Sequence, residues 1–189
     1  MKNQTLRIIS GKWKSRKINF SGSTEQLRPT SDRTKENLFN WIQYEIQNSR
    51  CLDLFSGSGN LGIESLSRGA NSCTFIEKDK RAYQKIKKNL DILEANNVSV
   101  YNIDAFNYIK KNKMTYDFIF LDPPFGKNII SKILNQLQLN KIISVRTKVY
   151  IEVEKNFNIE PIKKNWKIIK YKTTSEVQYA LLSIIEANS

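Results

Sequence analysis

The segment Asp-Pro-Pro-Phe at residues 122–125 carries the sharpest chemical signal in the chain. It follows the apolar run FIFL, which is typical of a strand buried on both faces. Pro123 and Pro124 restrict the backbone and would hold Asp122 rigidly at the strand end. An exocyclic base amine is a poor nucleophile, because its lone pair is delocalised into the ring. Asp122 and the Pro123 carbonyl could accept its two protons while Phe125 stacks on the base. A plain Pro-Pro loop is the alternative.

A second candidate is the glycine-rich segment DLFSGSGNLG, residues 53–62, which also follows a predicted strand. Its glycines satisfy G-x-G-x-x-G, and Glu77 lies at the end of the next strand, as in a dinucleotide site. A pyrophosphate is anionic, however, and Asp53 leads into this loop. S-adenosylmethionine carries an ammonium and a sulfonium and no phosphate, so it fits better. We expect Asp53 to bind the ammonium, directly or through water, and Glu77 to bind the ribose hydroxyls. A tight strand-to-helix turn is the alternative.

Asp104 follows a third predicted strand and opens a helix. Its position is that of an ordinary helix N-cap. It could also accept a hydrogen bond from the exocyclic amine of adenine, and both roles can hold together.

Strand and helix patterns alternate from residue 51 onward, which predicts a doubly wound, mostly parallel α/β sheet of Rossmann-like type. Ligands in such folds bind at the carboxyl ends of the strands, where these motifs fall. The first predicted helix starts at Ser31 or Asp32 and runs to about Ile46. Further helices are predicted over 60–69, 79–95, 105–112 and about 128–139. The predicted strands cover 51–55, 72–77, 98–103, 116–122 and 147–154, followed by an antiparallel pair, WKIIKYKTT and VQYALLSIIE.

The chain is strongly basic, with 31 Lys and Arg against 18 Asp and Glu and a net charge of +13. Residues 1–24 contain no acid, and residues 6–20 predict a hairpin of two strands, around LRII and RKINF, joined through Ser10-Gly11. This distribution favours a nucleic-acid partner. A generally lysine-rich composition would also raise the charge. We predict that residues 1–24 form a basic hairpin extension and residues 25–189 the main domain.

The composition excludes several classes of site. The chain has no histidine, which removes Ser-His-Asp and Cys-His catalysis and His-ligated metals. Cys51 and Cys73 are too few for a structural zinc site, and we expect both to be buried thiols. No apolar run approaches the roughly 20 residues that span a bilayer. We therefore expect a cytoplasmic monomer without metal or membrane attachment.

These motifs together resemble the RsmD family of 16S ribosomal RNA guanine-N2 methyltransferases. The resemblance rests on RIISGKWKSRKI, RPTSDRTKENLFNWI, DLFSGSGNLGIESLSRGA, IEKD and DPPF, and it thins after about residue 140. It implies a class I methyltransferase sheet of seven strands, the last ones antiparallel. It also implies S-adenosylmethionine as donor and a guanine N2 amine of the guanine 966 type as acceptor, in 16S ribosomal RNA of the small subunit.

The motifs and the resemblance together predict three sets of site residues. The catalytic set is Asp122, Pro123, Pro124 and Phe125. The cofactor set shares the strand ends and RPTSDR, which we expect to close over the cofactor: Asp53, Phe55, Ser56, Gly57, Ser58, Gly59, Glu77, Lys78, Asp104, Ala105, Asp122, Arg28 and Thr30. The RNA-binding set is basic apart from one tryptophan: Arg7, Lys12, Trp13, Lys14, Arg16, Lys17 and Arg33.

Three other functions remain open at this point. A DNA or other RNA amino-methyltransferase would share the fold and the role of Asp122. An NAD-dependent oxidoreductase is disfavoured by Asp53 and by the absence of a catalytic histidine. A non-catalytic ribosome assembly factor on the same scaffold would not need Asp122.

Overall fold

The computed structural model describes residues 4–20, 31–124 and 129–185. The helices in these ranges are α1 (Asp32–Trp41), α2 (Asn60–Ser67), α3 (Lys80–Ile92), α4 (Ala105–Lys111), α5 (Ile129–Leu139) and a short 3-10 helix (Glu160–Lys164). The strands are β1 (Gln4–Arg7), β2 (Lys17–Phe20), β3 (Arg50–Asp53), β4 (Ser72–Ile76), β5 (Val98–Tyr101), β6 (Phe118–Leu121), β7 (Lys148–Glu154), β8 (Trp166–Thr173) and β9 (Val177–Ile184). In the part of the chain described, no helix has the length and apolar character to cross a bilayer.

The main sheet has seven strands in the order β5-β4-β3-β6-β7-β9-β8. The strands from β5 to β7 in that order are parallel, and β9 runs antiparallel to β7 and to β8. The chain moves outward from β3 through β4 and β5 and then returns to the other side of β3 as β6. This switch in direction opens the ligand crevice of a doubly wound fold between β3 and β6. The predicted Rossmann-like fold class is confirmed.

Helices cover both faces of the sheet, which explains its apolar strands. Phe118 and Phe120 of β6 pack on the side of α1, α2 and α3, and Ile119 and Leu121 pack on the side of α4 and α5. The two cysteines lie opposite each other in β3 and β4, as free, buried thiols. Burial raises the pKa of Cys51 to about 12, which keeps this thiol protonated. The prediction of buried thiols is confirmed.

Several element boundaries are shifted by one or more residues, and the end of helix α1 and one short helix differ most from the sequence prediction. Helix α1 ends at Trp41 instead of about Ile46, and a turn follows. Ile42 and Ile46 nevertheless stay fully buried, and the Ile46 N–H still donates to the Ile42 carbonyl at 3.0 Å. The apolar spacing therefore continues beyond the helix itself. The 3-10 helix before β8 was not predicted.

The N-terminal strands β1 and β2 pair as the predicted antiparallel hairpin, although residues 8–16 form a longer connection than Ser10-Gly11. Ile8, Trp13 and Ile18 are buried in the core on the α2 and α3 side of the sheet. The hairpin is thus packed into the domain. Residues 21–24 lie outside the described residues, so the boundary at residue 24 stays a prediction.

Candidate active site

The strand ends of β4, β3 and β6 meet at one edge of the sheet. The register pairs Asp53 with both Phe75 of β4 and Phe120 of β6. Two residues further along each strand, the same alignment brings Glu77 and Asp122 to either side of the glycine loop. Backbone bonds extend the alignment past the strands, from the Leu54 N–H to the Phe120 carbonyl and from the Ser56 N–H to the Ile76 carbonyl. We call this rim the catalytic edge.

The glycine loop turns tightly from β3 into α2. Gly57 and Gly59 have positive φ angles of 51° and 78°, a conformation that glycine adopts without steric cost. Gly59 caps α2, and its N–H donates to the Ser56 carbonyl at 2.6 Å. Gly62 serves a different purpose, since a Cβ there would lie 2.3 Å from a ring carbon of Phe75. The third glycine therefore lets α2 pack directly on β4.

Asp53 lies inside this turn and is only 3% exposed. Its Oδ2 accepts a hydrogen bond from the Gly62 N–H at 2.9 Å, which ties β3 to the first turn of α2. Burial raises the pKa of Asp53 to about 7. The Gly62 N–H opposes the rise, and the charges of Asp122 and Glu77 add to it. Asp53 is thus part of the cluster of acids at the catalytic edge, and it also braces the loop.

Both carboxylate oxygens of Glu77 accept hydrogen bonds from backbone N–H groups. Oε2 accepts from the Gly57 N–H and Oε1 from the Asp79 N–H, each at 2.7 Å. Burial is the main cause that raises the pKa of Glu77. Each carboxylate oxygen has two lone pairs, so the remaining acceptor capacity suits a pair of ribose hydroxyls. The bond to Gly57 fixes this carboxylate against the glycine loop.

Asp104 caps α4 as predicted: its Oδ1 accepts from the N–H groups of Phe106 and Asn107. Ala105, in the first turn of α4, is buried. Lys78 is exposed, and its carbonyl accepts from the Asn102 side chain. The remaining predicted cofactor residues lie in the loop after β3. Phe55 and Ser58 are half-buried, whereas the Ser56 hydroxyl is used by the backbone, donating to Asp53 and accepting from Ile76.

Asp122 is half-buried directly after β6, with Pro123 buried and Pro124 exposed. Its charge contributes to the raised pKa of both Asp53 and Tyr150, so the Asp122 carboxylate lies close enough to interact with both side chains. Three predicted site residues, Arg28, Thr30 and Phe125, lie outside the described residues.

Sequence reasoning missed two buried polar features near this edge. The first is the ion pair of Lys35 with Glu64, and the second is the acid Glu152. Lys35 of α1 is fully buried and donates to the Arg7 carbonyl and to Asn60 Oδ1, each at 2.7 Å. It lies 3.5 Å from Glu64, which is also fully buried. Burial lowers the pKa of Lys35, and the Glu64 charge opposes this. No local pattern distinguishes these residues from a surface ion pair.

The second is Glu152 of β7, one residue beyond the paired Leu121 and Ile151. This register sets Glu152 beside Asp122. Glu152 is 6% exposed and accepts from the Tyr150 hydroxyl at 2.8 Å. An acid between the apolar residues Ile151 and Val153 of this strand was the available signal.

The predicted RNA-binding residues comprise exposed basic side chains and one buried tryptophan. Arg7, Lys12, Lys14, Arg16 and Lys17 are exposed on the hairpin, and Arg33 is exposed on α1. Arg7 donates to the Ser15 hydroxyl, and the Lys12 ammonium lies 4.1 Å from the Trp13 ring centroid. Trp13, the aromatic member of the predicted RNA-binding set, does not present its ring on the surface. This side chain is only 6% exposed, because it packs in the core.

Known proteins are similar to this chain in sequence and fold over nearly its whole length. The family model described as Conserved hypothetical protein 95 matches residues 6–183. Ribosomal RNA small subunit methyltransferase D of Buchnera aphidicola is 41% identical over 178 residues, which cover 94% of this chain and 92% of that protein. The protein of the same name from Escherichia coli K12 is 37% identical over 176 residues, covering 93% and 88%.

Two solved structures agree with these matches. The Escherichia coli protein yhhF superposes with a TM-score of 0.87 at 35% identity, covering 96% of this chain and 98% of that one. The Haemophilus influenzae protein HI0767 gives a TM-score of 0.82 at 38% identity, covering 97% and 100%. This chain therefore belongs to the RsmD family of ribosomal RNA small subunit methyltransferases.

Proposed function

We propose that this protein transfers a methyl group from S-adenosylmethionine to the exocyclic N2 amine of a guanine, of the guanine 966 type, in 16S ribosomal RNA of the small subunit. One observation carries the proposal. Asp122, followed by two prolines, ends the strand next to the glycine loop at the point where the sheet changes direction. The relatives named ribosomal RNA small subunit methyltransferase D support the choice of RNA.

The residues at the catalytic edge fit the proposed donor. Asp53, Glu77, Asp104 and Asp122 form an acidic rim around a glycine turn. This charge favours a ligand with an ammonium and a sulfonium over an anionic pyrophosphate. Glu77 would hold the ribose, Asp104 the adenine amine, and Asp53 the ammonium, directly or through water. When bound, S-adenosylmethionine supplies a methyl group that is already a strong electrophile.

The chain itself mainly positions the acceptor, since aligning two reactants can account for much of the barrier reduction. The guanine must leave its stack to reach the edge, which costs a few kcal/mol. Asp122 and the Pro123 carbonyl would then accept hydrogen bonds from the amine and orient its lone pair. The amine proton becomes acidic only as the methyl bonds, and it then passes to Asp122 or to water. Phe125 would stack on the base.

The test is transfer of labelled methyl from S-adenosylmethionine to unmethylated small subunits, naked ribosomal RNA and duplex DNA, followed by nucleoside analysis. We expect N2-methylguanosine from the subunits. Methyladenine or methylcytosine in DNA would overturn the substrate, and no transfer despite cofactor binding would favour an assembly factor. Action on the subunit would place the protein in the cytoplasm, and the monomeric state stays a prediction.

A further inference from the structure

The basic hairpin lies along the side of the domain, and its connection is far from the catalytic edge. Helix α2 begins at that edge and ends at Ser67, near the start of the strands. The hairpin connection binds this far end: the Lys12 N–H donates to the Ser67 carbonyl at 2.8 Å, and the Trp13 N–H to the Ser67 hydroxyl. The α2 helix separates the two ends by about 12 Å.

From that far end, the hairpin runs beside α3 toward the catalytic edge. Arg16 donates to the Ile92 carbonyl at the end of α3. One turn earlier, the Asn89 side chain bonds the backbone of Asn19 through both its oxygen and its nitrogen. Strand β2 is therefore fastened antiparallel to the last turns of α3, with its later residues pointing toward the edge.

Three basic side chains continue this line along α3. Arg81, Lys85 and Lys88 are spaced by four and three residues and so share one side of the helix. Arg81 and Lys88 are exposed and Lys85 is half-buried. The helical spacing places this stripe next to Asn89 and Ile92, the residues that contact the hairpin. It spans about 16 Å between the hairpin contact at Ile92 and Arg81, near the catalytic edge.

Basic residues predominate on this surface, and the acid of α3 is Asp91, which lies next to Ile92. Residues 80–88 contain five basic residues and no acid, whereas the exposed positions of α1 mix Asp32, Arg33 and Glu36. Among the described residues, the three side chains of the stripe make no ion pair. A protein that only needed solubility would gain as much from interspersed signs.

We propose that Arg81, Lys85 and Lys88, together with Lys14, Arg16 and Lys17 of the hairpin, form one phosphate-binding track for the RNA that carries the target base. We call it the α3–hairpin track. The RNA backbone would leave the catalytic edge along α3 and reach the hairpin about 16 Å away. The inference rests on the proposed function, because it assumes an RNA substrate. Contacts to phosphate would position that RNA without reading its sequence.

The test compares two triple variants that lose equal charge. Arg81→Gln with Lys85→Gln and Lys88→Gln removes the α3 part of the track. Lys164→Gln with Lys167→Gln and Lys170→Gln removes three exposed charges in and next to β8. Strand β8 forms the opposite end of the sheet from β5. KM for small subunits, kcat, cofactor Kd and the salt dependence of subunit binding are measured for both and for the wild type.

We expect the α3 variant to raise KM for the subunit about tenfold or more, with kcat and cofactor Kd unchanged. Its plot of log affinity against log salt should lose about two to three units of slope, near one per phosphate contact. Equal behaviour of the two variants would overturn the track. If the wild type transfers no methyl to guanine, the proposed function fails instead, so the two failures are distinguishable.

Discussion

The acids at the catalytic edge differ in their surroundings, and this difference supports the separate roles that we propose for them. Asp53 is buried and braces the glycine loop, and Glu77 is held by two backbone N–H groups. Asp122 is half-buried after a strand that two prolines terminate. Asp122 is less buried than Asp53. We therefore propose that Asp122 meets the substrate amine, while Asp53 and Glu77 organise the cofactor side.

The buried carboxyl of Asp53 makes a prediction about stability and pH. Its pKa rises from 3.8 to about 7 on folding, because burial disfavours the charged form. The neutral carboxyl therefore contributes stability that is fully present below pH 3.8 and is lost as the pH rises through 7. Relative to Asp53→Asn, which does not titrate, the wild type should lose on the order of 4 kcal/mol across this range.

Denaturant unfolding of both proteins at several pH values between 4 and 8 measures this difference. The asparagine can still accept the Gly62 N–H, so local geometry is kept. A difference in unfolding free energy that stays constant with pH would contradict the role given to Asp53.

At the scale of elements, the contact of α2 with β4 depends on Gly62. Replacing it with alanine puts a Cβ 2.3 Å from the Phe75 ring and 2.9 Å from the Cys73 sulfur. We expect Gly62→Ala to lower the free energy of unfolding by about 1–3 kcal/mol, a typical cost of overpacking. It should also weaken S-adenosylmethionine binding, because the Gly62 N–H holds Asp53.

Phe75→Leu provides the matched variant for this prediction, since it opens room for the new methyl group. The double variant should be more stable than the sum of the two single effects, because the sites are in contact. Strict additivity in thermal or denaturant unfolding would show that the clash with Phe75 is not the cause.

The hairpin, α1 and α2 are joined by the buried pair of Lys35 and Glu64. Glu64 also accepts from the N–H groups of Ile9 and Ser10 at 2.8 and 3.0 Å. Lys35→Met should destabilise the protein by about 1–3 kcal/mol, because it removes the buried hydrogen bonds to the Arg7 carbonyl and to Asn60. The Glu64 carboxylate keeps the Arg68 guanidinium, 2.8 Å away, as its cation. Chemical denaturation measures the loss. The exposed control Lys163→Met removes a surface pair with Glu160 and should cost less than about 1 kcal/mol.

Individual elements were predictable where local signals mark their ends. Ser31 caps α1 through a bond to the Thr34 N–H, and Asp79 caps α3 through a bond to the Ala82 N–H. The end of α1 was not predictable from apolar spacing, because Ile42 and Ile46 remain buried after the helix has stopped. At this point, residues with helical apolar spacing stay buried although the backbone is no longer helical.

For the whole molecule, the sheet and the meeting of the candidate site residues at one of its edges followed from the sequence, whereas the placement of the hairpin did not. Alternating strands and helices fix the edge on which the loops after β3 and β6 must meet. The docking of the hairpin depends on contacts between residues more than fifty positions apart, such as Trp13 with Ser67. No local pattern reports such contacts, and the burial of Trp13 was missed for that reason.

The most direct test of the account is methyl transfer to unmethylated small subunits by three proteins: wild type, Asp122→Asn and Asp122→Ala. Product is counted as N2-methylguanosine and cofactor Kd is measured in parallel. We expect transfer by the wild type and by Asp122→Asn, whose amide oxygen still accepts from the amine. Asp122→Ala should lose at least about 100-fold in kcat, and the cofactor Kd shows separately any loss of donor binding. Undiminished N2-methylguanosine from Asp122→Ala would contradict the central role of Asp122.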